Sequence, residues 1–152
     1  MKTHFLALLF SLFVSSAFAQ VTVRDPWVRA TVPAQKATGA FMQVISLQDA
    51  RLVEVRSPLA DVVEIHEMKM ENDVMRMRAV PGIDLPAGQR VDLKSGGYHI
   101  MLIDIKRQVK EGETVPLTLV VEGKDKQRQT LELNVPARAL TNVPDHSSHS
   151  KP

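Results

Sequence analysis

Histidine and methionine are the residue types here whose spacing suggests chemistry. The chain has five histidines and seven methionines in 152 residues, and one short region holds most of the methionines. His66 and His99 bracket it, with Met68, Met70, Met75, Met77 and Met101 beside them; beyond the initiator only Met42 lies elsewhere. A thioether sulfur is soft and uncharged and matches copper(I), imidazole suits copper in either oxidation state, and the oxygen ligands preferred by Mg, Ca and Mn are missing from this cluster. Mixed His/Met ligation therefore points to copper(I). The chain contains no cysteine, which removes thiol nucleophiles, disulfide exchange, zinc-thiolate sites and blue-copper centres.

Strand geometry is what would bring these groups together, because residues two apart share a face. His99 and Met101 then present an imidazole and a thioether to one point, and His66, Met68 and Met70 do likewise. A two-residue turn at Asn72-Asp73 sets Met70 opposite Met75 and Met68 opposite Met77, placing all five side chains on one face. A three-residue loop through Glu71-Asn72-Asp73 shifts the register by one and scatters them. Methionine also fills cores, and the other face of this hairpin carries Glu67, Lys69, Arg76 and Arg78, so the methionine face can equally be read as the buried one. Each neutral imidazole needs a partner on its other nitrogen, which the sequence does not identify.

The elements around the cluster read as strands. Val21–Val23, Trp27–Arg29, Ala40–Ile45, Arg51–Val55, much of 66–78, and the pair Thr114–Val121 and Gln129–Val135 carry apolar or alternating patterns. Gly123-Lys124-Asp125-Lys126 supplies a hairpin connection, and Pro81-Gly82, Pro86-Ala87-Gly88 and Ser95-Gly96-Gly97 punctuate the rest. No window sustains a helical period over an ordinary helix length, although Ser57–Val63 has room for a short turn. Many short, evenly spaced strands predict a single all-β domain, an antiparallel β-sandwich, over residues 20–141.

Residues 1–19 read as a secretory signal peptide: Lys2, an apolar run from Phe5 to Val14, then Ala17-Phe18-Ala19 as the cleavage pattern. The run is short of the ~20 residues a bilayer span needs, so export to the periplasm with cleavage after Ala19 is expected, without stable membrane insertion. Residues 142–152 have almost no apolar content and read as a flexible tail, in which His146 and His149 offer imidazoles to copper(II). Charges are scattered and nearly balanced beyond Lys2, which argues against nucleic acid as a partner.

The pattern His66, ten residues, Met77, twenty-one residues, His99, one residue, Met101 resembles that of the periplasmic copper chaperones called PCu(A)C. Asp25-Pro26-Trp27-Val28-Arg29-Ala30 and Gly39-Ala40-Phe41-Met42 look like that family's opening strands. Gly96-Gly97-Tyr98-His99-Ile100-Met101 looks like its second ligand strand. The resemblance implies a cupredoxin-like Greek-key sandwich binding copper(I) through His66, Met77, His99 and Met101, with Met68 as an auxiliary candidate. It also implies delivery to the copper-site subunit of a respiratory haem-copper (cytochrome c) oxidase, directly or through a Sco-type protein. A carrier that must offer its site to another protein is expected to be a monomer.

Other classes fit less well. A copper oxidase or monooxygenase site generally uses more imidazole than two folded histidines supply, and no spaced carboxylate pair, nucleophile motif or phosphate loop appears. An enzyme is therefore not expected. A copper buffer or resistance protein uses the same residues without a dedicated recipient, and a metal-free structural sandwich with its methionines in the core is the remaining alternative.

Overall fold

Period-two burial runs through most of the chain. In Thr114–Gly123, Val115, Leu117, Leu119 and Val121 turn inward, and in Tyr98–Ile105 the inward pair is Ile100 and Leu102. Branched aliphatics at alternate positions fit a pleated, half-buried surface. The computed structural model describes residues 20–139 and contains ten strands and no helix among them. They are β1 (Val21–Arg29), β2 (Ala37–Ser46), β3 (Ala50–Arg56), β4 (Ala60–Glu71), β5 (Val74–Ala79), β6 (Ile83–Leu85), β7 (Arg90–Leu93), β8 (Tyr98–Ile105), β9 (Thr114–Gly123) and β10 (Arg128–Arg138). The signal-peptide reading of 1–19, the tail 142–152 and its His146 and His149 lie outside the described residues.

The strands follow the order β5-β4-β8-β2-β1-β10-β9-β3-β6, with β7 also paired to β2. Neighbours distant in sequence are the rule, as in a Greek key. The sheet folds over so that β3 packs across to β4 and β2 to β6, and one core fills the space between the layers, with Leu52, Ile83, Leu85, Ile100, Leu102, Leu117 and Leu119 at its centre. The fold is a single all-β, cupredoxin-like sandwich.

Three details depart from the sequence expectations. One junction is parallel, β1 on β10 through Val28↔Ala137 and Arg29↔Arg138, because both strands reach the seam between the layers running the same way. Val21–Val23 and Trp27–Arg29 form one strand: Asp25 adopts φ 46° and shifts the register between Arg24 and Trp27, a bulge that absorbs Pro26 without ending the pairing. Pro58-Leu59 makes only a tight turn, and β4 begins at Ala60, so Ser57–Val63 is mostly strand.

The β4–β5 hairpin has the two-residue turn. Asn72 and Asp73 both take positive φ, 52° and 61°, as a type I′ turn requires and as Asn and Asp tolerate better than most residues. Met68 pairs with Met77, Met70 with Met75 and Glu71 with Val74. A β-branched residue at the first turn position should oppose this backbone, and Asn72→Val is expected to destabilise the hairpin by about 1–2 kcal/mol. Because the hairpin is at the sheet edge, the cost should appear as roughly tenfold faster amide exchange in β5, with the global unfolding midpoint nearly unchanged. Unaltered β5 exchange would contradict the turn assignment.

Candidate metal site

On β8, Ile100 and Leu102 enter the core, so His99 and Met101 must face the other side of the sheet. β4 runs beside β8 with His66 opposite His99 and Glu64 opposite Met101, and β2 on the far side sets Gly39 opposite Met101. The β4–β5 register continues the same face through Met68 and Met77. A cleft of about 270 Å³ forms there, and Met68, Met77, His99 and Met101 all line it. Gly39 leaves room at its floor: a Cβ there would fall 2.8 Å from the Phe41 ring.

His66 does not line the cleft but is buried beside it, its ring edge-on to His99 with centroids 5.9 Å apart. The two imidazoles are 8% and 6% exposed, and their partners decide which nitrogens remain available. His99 Nδ1 donates to the Gly97 carbonyl at 3.0 Å, which leaves the lone pair on Nε2. His66 Nε2 donates to a Glu64 carboxylate oxygen at 2.7 Å, while Nδ1 is buried without a partner. An imidazole lone pair held from water and left unpaired is costly in a core, yet it is what a metal ligand needs. Gly97 has a second role, since its carbonyl also accepts the Met68 backbone N–H at 3.0 Å. One oxygen thus ties the hairpin strand and the His99 ring together. The loop that presents it turns at Gly96, with φ +88°.

Aromatic rings close the side next to His99. Phe41 stacks on it at 6.4 Å, Trp27 lies 4.6 Å from Phe41, and the Arg29 guanidinium sits 5.2 Å above the Phe41 ring. These contacts fix the imidazole plane. The opposite face of the hairpin is ionic: Arg78 binds Glu67 at 2.9 Å, and that hydrogen bond holds the Glu67 carboxyl below its ordinary pKa. Tyr98 stands on this other face, opposite Glu67, packed against the core. Burial, and then the Glu67 charge, push its phenol up.

The methionines of the hairpin are not core. Met70, Met75 and Met77 are 60%, 45% and 50% exposed, whereas Met42 is the buried one. The hairpin projects at the sheet edge and both its faces meet solvent, so a polar second face does not make the first one buried. Sequence reasoning missed Glu64 and Gly97, although Glu64 lies two residues before His66 on the same strand face, a spacing that could have exposed it. Among the described residues no three His, Cys, Asp or Glu side chains group to hold a metal, so ion binding at this cleft would depend on thioethers. That donor set is soft, neutral and suited to a monovalent d¹⁰ ion.

Comparisons with known proteins bear on the family and the fold. A family model described as LpqE-like, a lipoprotein family, matches residues 21–137. A protein of Leifsonia xyli subsp. xyli named as a lipoprotein, Lxx21020, is 30% identical over 100 residues, covering 65% of this chain; the chain spans 60% of that relative's length. The fold is similar to the copper-bound PCuAC domain from PmoF2, at TM-score 0.59 and 25% identity over 77% of this chain and 92% of that one. It is also similar to DR1885 of Deinococcus radiodurans. The apo solution structure matches at TM-score 0.57 and 28% identity over 91% and 94% of the two chains, and the copper(I) form at the same score and identity over 84% and 83%. Among the described residues no helix is long and apolar enough to cross a membrane.

Proposed function

This chain belongs to the LpqE-like family, and on that premise we propose that it is an exported copper(I) carrier that binds one ion through His66, Met77, His99 and Met101. The observation that carries the reading is the convergence of the Met68, Met77 and Met101 thioethers with the His99 imidazole on one cleft, with the unpartnered His66 Nδ1 buried beside it. His66 would bind through Nδ1 and His99 through Nε2, the nitrogens their hydrogen bonds leave free. Met68 lines the same cleft and can exchange with a neighbour as the ion moves. Likeness to copper-bound domains in solved structures supports the choice of metal.

A carrier rather than a catalyst fits the ligand set. Neutral thioethers hold copper(I) less tenaciously than thiolates, and Met77, half exposed on an edge strand, leaves a side open for an acceptor's ligands. The recipient we propose is the copper centre of a respiratory haem-copper oxidase, reached directly or through a Sco-type protein, with the exchange made by a monomer in the periplasm. His146 and His149 would add copper(II) capture. Loss of oxidase activity in a deletion strain supports delivery; copper sensitivity with normal oxidase activity would mean buffering instead.

Met77→Leu tests the site without disturbing the fold. Leucine keeps the volume and apolar character and removes the sulfur, and the position is exposed, so stability should change by less than about 1 kcal/mol. Copper(I) affinity, measured anaerobically against a chromogenic chelator, should fall at least about tenfold, since even outer-shell changes cost a metal site ~10–100-fold. Equal affinity would remove Met77 from the ligand set.

A further inference from the structure

Met70 and Met75 take no part in the site above, yet they continue its face. They form the next cross-strand pair toward the turn after Met68 and Met77, and both are largely exposed. Solubility does not account for them, because exposed apolar side chains on an edge hairpin invite strand addition and aggregation. Core packing does not account for them either. Alternation puts the cations of this hairpin, Lys69, Arg76 and Arg78, on the opposite face, where Arg76 and Arg78 pair with Glu67 and Glu71. The stretch of the methionine face holding Met68, Met70, Met75 and Met77 is therefore free of charged strand residues as well as soft. Directly opposed strand residues have Cβ atoms ~5 Å apart and diagonal ones ~7–8 Å, distances that methionine's flexible side chain closes readily.

We propose that Met68, Met70, Met75 and Met77 form a second, thioether-only site for copper(I) on the outer end of the hairpin. An ion is captured there and moves to the His99 site by ligand exchange at the shared Met68 and Met77. The exposed hairpin end lets a donor approach, and the imidazoles then draw the ion inward, since a ring whose other nitrogen donates to a carboxylate or carbonyl is a more basic ligand than a thioether. This inference rests on the copper reading of the cleft and extends it by a path.

The test is a silver(I) titration of the purified protein carrying ¹³C-methyl methionine, silver(I) standing in for copper(I) as a soft d¹⁰ cation. The first equivalent should move the Met77 and Met101 methyl resonances, and the second, held by Met68, Met70 and Met75 while Met77 stays with the first ion, those of Met70 and Met75. In the Met70→Leu, Met75→Leu double variant the first equivalent should bind unchanged. The second should weaken at least about tenfold, as loss of supporting groups costs a metal site ~10–100-fold. Met70 and Met75 methyls that stay still through two equivalents overturn the hairpin site, and so does a double variant that takes its second equivalent as the parent does. Failure of the cleft reading looks different: Met77 and Met101 stay still at the first equivalent.

Discussion

Replacing His99 by alanine is expected to lower copper(I) affinity at least about a hundredfold, because it deletes a ligand where loss of a mere outer-shell partner already costs ~10–100-fold. The ring has its position fixed from three sides: Nδ1 donates to Gly97, Phe41 stacks against one face and His66 meets it edge-on. Such a ring is pre-positioned, so its removal loses both a donor atom and the ordering already built into the apo fold. Stability should fall by only about 1–3 kcal/mol, the range for a lost buried hydrogen bond with its packing. Gly97 keeps its bond to the Met68 N–H, which limits the damage. Anaerobic competition against a chromogenic chelator measures the affinity, and thermal unfolding verifies that the variant is folded. A folded His99→Ala that binds copper(I) like the parent would end the carrier reading.

Glu64 gives a contrast in kind. It does not line the cleft, and its carboxylate holds His66 so that Nδ1 is the nitrogen left bare. Its effect on the metal is therefore exerted through the orientation of His66, and it acts on one imidazole only. The two histidines reach their states by different means: a backbone carbonyl for His99 and a side-chain carboxylate for His66.

Local pattern carried much of this. The alternation of Val115, Leu117, Leu119 and Val121 is a strand signal that needs no tertiary knowledge, and Asn72-Asp73 offered the two-residue turn that sets the methionine register, beside a three-residue alternative that the positive φ of both residues excludes. Gly123–Lys126 closes the β9–β10 hairpin as its residues predict, with Lys126 N–H bonded to the Gly123 carbonyl. What the sequence could not decide is non-local. Whether the methionine face is core or surface depends on β5 being the last strand of the sheet order, and nothing within 66–78 encodes that. The parallel β1–β10 seam joins the two ends of the described chain and has no local signature. Gly97 is a related case, because it serves through a carbonyl and its side chain carries no chemical signal. The Asp25 bulge was obscured by Pro26, which separates two apolar runs in the sequence although the bulge carries the pairing past it.

Leu102→Ala is expected to cost about 2–5 kcal/mol, the range for removing a buried leucine side chain and leaving a cavity, out of a total that in domains of this size is ~5–15 kcal/mol. Leu102 is 0% exposed and belongs to the central cluster, one residue from Met101 on the opposite face of β8. The substitution therefore weakens the strand that carries two of the proposed ligands without touching a ligand, and copper(I) should compensate. An ion that binds only the folded state, at a thousandfold excess over its dissociation constant, adds ~4 kcal/mol, enough to offset most of the loss. Anaerobic guanidinium unfolding with and without copper(I) should then show a large drop in apo Leu102→Ala and a large recovery with metal, whereas His99→Ala should show little recovery. If copper(I) leaves the Leu102→Ala midpoint unmoved, metal binding is not linked to this fold. If it raises His99→Ala equally, the ion is bound away from the cleft.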